Sequence, residues 1–248
     1  RASRRTYKKT NEGDWMVRGL IWFRSDLRID DNPALLGAAN SCDELIGVYI
    51  FSQKQWNLHH ESNVKQDFLI QNLISLEGQL KKLNIPLIVI QTDTFEMLPE
   101  DLQKFIETHQ INSCHWNNEF GVNENKRDDE VEKLLSSSAT QIFRHQDQVI
   151  YEPGFLRTGQ DKPFSVFTPF KRRWIENFSM SFLDLDQANE PLKKINLTSD
   201  LTALKLDKSH QVNMDSWPAG EAAALARLED FLDHKINNYS ESRNTPIL

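Results

Sequence analysis

The feature that most constrains this chain is a strand-to-helix turn without a glycine. The apolar run Gly19-Leu20-Ile21-Trp22-Phe23 is bounded by charge and predicts a strand buried on both faces. Asn32-Pro33 predicts a helix start, because asparagine caps well and proline's missing N–H costs nothing in a first turn. Between them run Arg24-Ser25-Asp26-Leu27-Arg28-Ile29-Asp30-Asp31. A G-x-G-x-x-G turn wraps a pyrophosphate because its glycines let the backbone come close. The turn here has no such freedom, which argues against an ordinary NAD enzyme. Arg24, Asp26 and Arg28 fit either a charge cluster tying the turn to the sheet or direct ligand contact, since the two look alike in sequence.

Further apolar runs at residues 45–51 and 85–90 predict two more strands. A long helix separates them, with Asn63 and Gln66 as its capping pair and Val64, Phe68, Leu69, Leu73, Leu76, Leu80 and Leu83 at helical spacing. Asp93 with Glu96 predicts the cap of another helix reaching about His109. Residues 112–117 predict a fourth strand, 121–135 a helix and 141–145 a fifth strand. Five strands alternating with four helices predict an α/β fold, a five-stranded parallel, Rossmann-like, doubly wound sheet. Ligands of such sheets sit beyond the carboxyl ends of the strands, where the strand order reverses.

At 248 residues the chain can hold one large domain, or one domain and part of another. The expected organisation is a basic extension at 1–16, the α/β domain at 17–150, a connector at 151–220 and a new helical unit at 221–248. The extension carries Arg1, Arg4, Arg5, Lys8 and Lys9 without the apolar core of a secretory signal, and reads as sequence upstream of the domain. The connector is rich in polar residues and lacks steady periodicity. Its dense island, residues 166–174, sets Lys171, Arg172 and Arg173 beside aromatic residues. Such a trio could stack on nucleic acid, but three charges do not decide it, and the expectation is a solvated helix start packing aromatics between domains. From Glu221, the residues Ala224, Leu225, Leu228, Phe231 and Leu232 form an apolar stripe that calls for a partner domain.

No apolar run approaches the roughly 20 residues of a membrane helix. Cys42 and Cys114 are far apart in sequence and form no C-x-x-C, so neither a disulfide framework nor a zinc site is expected, and a reducing, cytoplasmic setting is the default. Two polar clusters stand at strand ends. In Gln55-Trp56-Asn57-Leu58-His59-His60, adjacent histidines in an extended segment point apart and lack the register of a helical metal pair. In the stretch from Trp116 to Glu130, Asn123 and Glu124 fall in a first helical turn, where a carboxylate either caps the helix or receives a planar N–H edge.

W-F-R-x-D-L-R-x-x-D-N-x-A-L, standing here from Trp22 to Leu35, resembles the opening signature of the photolyase/cryptochrome family. The resemblance runs from Val17 to the end and is closest to bacterial class I cyclobutane pyrimidine dimer photolyases, N-terminal portion only. It implies light-driven repair of pyrimidine dimers in damaged DNA by the full-length protein. It implies an antenna, 5,10-methenyltetrahydrofolate, and a catalytic FAD. By the same resemblance His59 touches the antenna pterin, Asn123 and Glu124 hold it, and Tyr239 lies near the flavin phosphates. The remaining flavin residues and the DNA groove are expected in a domain beyond Leu248, which fits the net charge of −7 here. No catalytic residue and no metal ligand is expected in this chain, and a monomer is. A cryptochrome photoreceptor and a stand-alone pterin or nucleotide binder are the alternatives.

Overall fold

The computed structural model describes residues 16–180, 190–204 and 217–244. The basic extension up to residue 15, parts of the connector and the last four residues lie outside the described residues. Five strands, β1 (Arg18–Phe23), β2 (Glu44–Phe51), β3 (Leu87–Gln91), β4 (Ser113–Asn117) and β5 (Gln141–His145), pair in parallel in the order β3-β2-β1-β4-β5. The fold is the expected doubly wound α/β sheet.

Alternate residues of the central strands face opposite sides, so each side has its own core. Ile21 and Phe23 pack with α1 (Pro33–Ser41) and α3 (Asn63–Lys82) through Leu35, Leu73, Leu76 and Leu80. Leu20, Trp22, Cys114 and Trp116 pack with α4 (Leu98–His109) and α5 (Val122–Leu135) through Leu102, Ile106, Val131 and Leu135. The side of the crossover therefore changes between the first two helices and the last two. The strand order reverses between β1 and β4.

The start of α1 forms as expected, with Asn32 accepting the Leu35 N–H at 3.1 Å and Pro33 in the first turn. Two other starts move. The cap of α3 is Ser62, whose Oγ accepts from Lys65 N, while Gln66 Nε2 reaches back to the Glu61 carbonyl at 2.8 Å. Helix α4 begins at Leu98 rather than after Asp93, because Pro99 has no N–H to donate and is tolerated only in a first turn. The segment read as extended at 55–60 is largely helical: α2 (Gln53–Leu58) is capped by Ser52, His59 closes it, and His60 takes a left-handed φ of 52°.

The polar stretch 190–204 does more than connect. Asp200 bridges the outer side of β3, accepting from Val89 N at 2.8 Å and donating to the Leu87 carbonyl at 2.9 Å. Ile195 is buried, and Leu192, Leu197, Leu201 and Leu204 pack against the two cores. The chain thus covers a sheet edge that would otherwise offer unpaired backbone groups. Helix α6 (Phe167–Asn177) follows the sheet, and α7 (Glu221–His234), a 3₁₀ turn at Ile236–Asn238 and α8 (Tyr239–Ser242) complete the described structure. Helix α7 is fixed at its start: Glu221 accepts the N–H groups of Ile29 and Asp30 at 3.1 and 3.0 Å, and Gly220 N donates to Asn72. Leu225, Leu228 and Leu232 of α7 are exposed.

Candidate functional site

The reversal point between β1 and β4 is where a sheet of this kind offers a crevice. Here the chain's own side chains fill it. Asp26 accepts the Arg24 N–H at 2.8 Å and a bond from Asn117 Nδ2, which also reaches Asn32 Oδ1. Asn117 Oδ1 accepts from Ala34 N at 3.0 Å, tying the β4 end to the first turn of α1. Arg24 Nη1 donates to both oxygens of Asp128 at 2.8 and 2.9 Å. Arg127 Nη2 donates to Glu119 and to Asp128, each at 2.8 Å, and Ser25 Oγ donates to Glu119 at 2.6 Å. Both guanidinium groups lie 4.9 Å from the centre of the Trp22 ring, which meets Trp116 edge-on.

Asp128 is fully buried and Arg24 nearly so, so this network holds ionised groups away from water. Burial lowers the Arg24 pKa against the pull of Asp128. Burial raises that of Glu119, and the bonds from Ser25 and Arg127 more than reverse it, so this carboxyl stays ionised. Arg28 binds Asp147 and the carbonyls of Asp30 and Asp31, which ties the first turn to the segment after β5. The motif charges therefore serve structure. Glu119, Arg127 and Asp128 went unread as their partners, although Arg127 and Asp128 stand one helical turn after Asn123 and Glu124, a spacing the sequence displays.

A second buried polar line runs beneath α1. Cys42 Sγ meets Ser113 Oγ at 3.2 Å, Ser113 meets His115 Nε2 at 3.1 Å, and His115 Nδ1 meets His145 Nε2 at 3.2 Å. Burial pushes the His115 pKa down to about 3 and that of His145 to about 4. Both rings are thus neutral at pH 7, and one must donate to the other.

The residues singled out from sequence lie on the rim. His59 follows β2, and Asn123 and Glu124 open α5 after β4. Strands β2 and β4 flank β1, so the two groups share the carboxyl edge of the sheet, about two strand spacings (~10 Å) apart in strand position. The loop after β3 is tied to the α2 side, where Lys54 pairs with Asp93 at 3.0 Å. Glu96, whose carboxyl its own backbone N–H and Thr94 hold below the usual range, also feels Lys126 of α5 and Lys54. The His59 ring is exposed and meets Gln55 Nε2 at 2.6 Å. Asn123 is exposed, and the half-buried Glu124 carboxylate lies against Gly121 without a hydrogen-bond partner among the described residues. Tyr239 is half exposed, with its ring edge-on to that of Phe231 at 5.7 Å.

An aromatic lactam or amidine edge needs a planar acceptor pair and a neighbouring group that both donates and accepts. Glu124 and Asn123 are those types. A flat ring does not fit within the crevice, which Arg24, Glu119, Arg127, Asp128 and Asn117 occupy, but it can lie across the rim.

The match to the DNA photolyase family spans residues 19–193. The chain is 33% identical over 235 residues to the deoxyribodipyrimidine photo-lyase of Buchnera aphidicola from Acyrthosiphon pisum, covering 94% of this chain and 48% of that protein. It is 30% identical over 242 residues to the enzyme of that name from Escherichia coli, covering 94% and 49%. The crystal structure of a class III photolyase from Agrobacterium tumefaciens superposes with a TM-score of 0.74 at 24% identity, covering 96% of this chain and 49% of that one, and shares the fold. The chain spans about half the length of the curated relatives it matches.

Proposed function

The chain belongs to the DNA photolyase family, and on that premise we propose that it is the antenna-bearing part of a deoxyribodipyrimidine photolyase that repairs pyrimidine dimers in DNA. Residues 17–150 form the antenna domain, 151–220 connect, and 221–248 begin the FAD-binding domain. The antenna is 5,10-methenyltetrahydrofolate, held at its pterin edge by Asn123 and Glu124 and touched by His59. Bound together in the full-length protein, the pterin would supply light capture and a reduced FAD the electron that splits the dimer. Tyr239 stands near the flavin phosphates in that assembly. The protein acts as a cytoplasmic monomer, and no helix among the described residues is long and apolar enough to cross a membrane.

One observation carries the antenna reading: the Glu124 carboxylate, half-buried in the first turn of α5 with no hydrogen-bond partner among the described residues, stands beside the exposed Asn123. The carboxylates of Asp26, Glu119 and Asp128 are all engaged by donors of the chain. Glu124 remains available to a ligand, and the filled crevice directs a flat ring to the rim.

Titration of the chain with 5,10-methenyltetrahydrofolate, followed by the fluorescence anisotropy of the pterin, tests this. Glu124→Gln keeps the shape and one acceptor, and is expected to weaken binding about tenfold, the cost of one charge-assisted bond. Unchanged affinity in Glu124→Gln and Asn123→Ala, or no folate binding, would overturn the site. ATP bound in place of folate would favour a nucleotide-binding module. Stoichiometric FAD in the purified chain would overturn the assignment of the flavin site to the longer protein.

A further inference from the structure

We infer that Glu221 is the positioning residue that sets how the helical unit beginning at α7 is oriented on the α/β domain, and with it how the flavin faces the antenna edge. This deepens the proposed function and rests on it for the two chromophores. The contact itself belongs to the fold.

The turn after β1 is held from several directions. Arg28 N donates to the Asp26 carbonyl at 2.7 Å, and Asn32 Nδ2 donates to the carbonyls of Asp26 and Arg28 at 3.3 and 3.0 Å. The Arg28 guanidinium donates to the Asp30 and Asp31 carbonyls and pairs with Asp147. Leu27 and Ile29 pack against the core on the side of α1 and α3. Two consecutive N–H groups of the turn, those of Ile29 and Asp30, find their acceptor 192 and 191 positions further along, each donating to a different oxygen of Glu221 at 3.1 and 3.0 Å. A carboxylate engaged at both oxygens is fixed in direction as well as in place.

Helix α7 is tied to the α/β domain at its first turn. Beside Glu221, Gly220 N donates to Asn72 Oδ1 of α3 at 2.9 Å. A methyl group on Gly220 would stand 2.3 Å from Ser75 Oγ and 3.1 Å from Ser75 Cβ, so the backbone at the helix start lies directly on α3. The same residue takes a φ of 98°, a conformation that glycine adopts without strain. One turn further on, Leu225, Leu228 and Leu232 are exposed, and Arg227 lies over Trp217 of its own unit at 4.3 Å. The helix is therefore pinned at its start, and the direction of the pin sets its axis.

A carboxylate in a first turn also favours the helix dipole, and that alone would account for an acidic residue at this position. Here both oxygens reach instead to the backbone of the signature turn, which follows the central strand of the sheet. Transfer of excitation between two chromophores falls steeply with their separation and depends on their mutual orientation. Asn123 and Glu124 stand on the α/β domain, whereas Tyr239, proposed beside the flavin phosphates, follows α7 and packs its ring on Phe231 of that helix. A change in the axis of α7 moves the second group against the first.

Spin labels on Gly78→Cys of α3 and Glu229→Cys of α7 test the contact in the 248-residue chain, because both positions are exposed and the native Cys42 and Cys114 are buried. A single narrow distance distribution is expected with Glu221 in place and a broad one in Glu221→Ala. Glu221→Gln, which keeps the reach and one acceptor, should fall between them. Amide hydrogen exchange at Ile29 and Asp30 should speed about tenfold in Glu221→Ala, as the loss of a bond to a charged acceptor implies. Helix content by circular dichroism is expected to stay unchanged in both variants. In the full-length protein carrying pterin and FAD, quenching of the pterin fluorescence by the flavin should fall in Glu221→Gln at unchanged folate affinity and flavin content. An unaltered distance distribution in Glu221→Ala overturns the inference, and so does unaltered quenching in Glu221→Gln. Loss of helix content in both variants overturns it as well, since Glu221 would then serve only as a cap. Folate titration of the labelled chain separates the two readings: absent folate binding with the distance response intact counts against the antenna alone, and folate binding without the distance response counts against Glu221 alone.

Discussion

The crevice at the reversal point and the rim around it are built from the same residue types, and they behave oppositely. Inside, Arg24, Arg127, Glu119 and Asp128 neutralise one another behind Trp22 and Trp116. Outside, His59, Asn123 and Glu124 stand on the same edge with few partners. A buried charge that loses its partner destabilises the fold, whereas an exposed one is solvated and can exchange water for a ligand. The difference separates charges that hold the edge in shape from groups that water reaches.

Removing a carboxylate from each region makes the sharpest test. Asp128→Ala strands the Arg24 guanidinium in the interior and should cost about 3–5 kcal/mol, read as the shift in urea unfolding midpoint. A loss below 1 kcal/mol would mean that water reaches the crevice, and the comparison would fail.

Acid should destabilise the fold through the wall of the centre. The folded-state pKa values of His115 and His145 lie below that of the unfolded chain, so their contribution is complete above about pH 6.5. As pH falls toward 4 the unfolded chain takes up protons that the folded one refuses, and stability declines by on the order of 6 kcal/mol for the two rings together. Urea midpoints measured from pH 7.5 to 4 in wild type and His145→Gln check this, with a shallower decline expected in the variant.

A smaller effect probes the packing of the same wall. A methyl group on Gly37 of α1 would stand 2.4 Å from His145 Cε1, so Gly37→Ala should destabilise by about 1–3 kcal/mol through overpacking. Thermal unfolding would read it. On the rim, Glu124→Gln should change stability by no more than about 0.5 kcal/mol while weakening folate, the pairing of effects that separates a ligand group from a structural one.

Much of the fold could be read along the chain, because burial on both faces of a strand leaves an unbroken apolar run and the helices between keep their period. Gln141–His145 and the cap at Asn32 fell where the pattern put them. Helix α4 did not, since the capping pattern at Asp93 and Glu96 ignores the restriction imposed by Pro99. The role of 190–204 was hidden because backbone groups cover the edge of β3, and backbone groups are the same in every residue. The site was half legible. Asn123, Glu124 and His59 were expected by type and fall on the carboxyl edge of the sheet, but the bonding of Glu119 and Asp128 to the first turn joins residues about a hundred positions apart.

Sequence alone determined the alternation of strands and helices, the glycine-free turn and the family signature, all of which depend on neighbours within a few residues. Only the tertiary structure decided which charges are satisfied and which remain open. A charge is satisfied by whatever lies within about 3 Å in space, and Asp128 comes that close to Arg24 only after β4 pairs beside β1 and α5 folds down over the face between them.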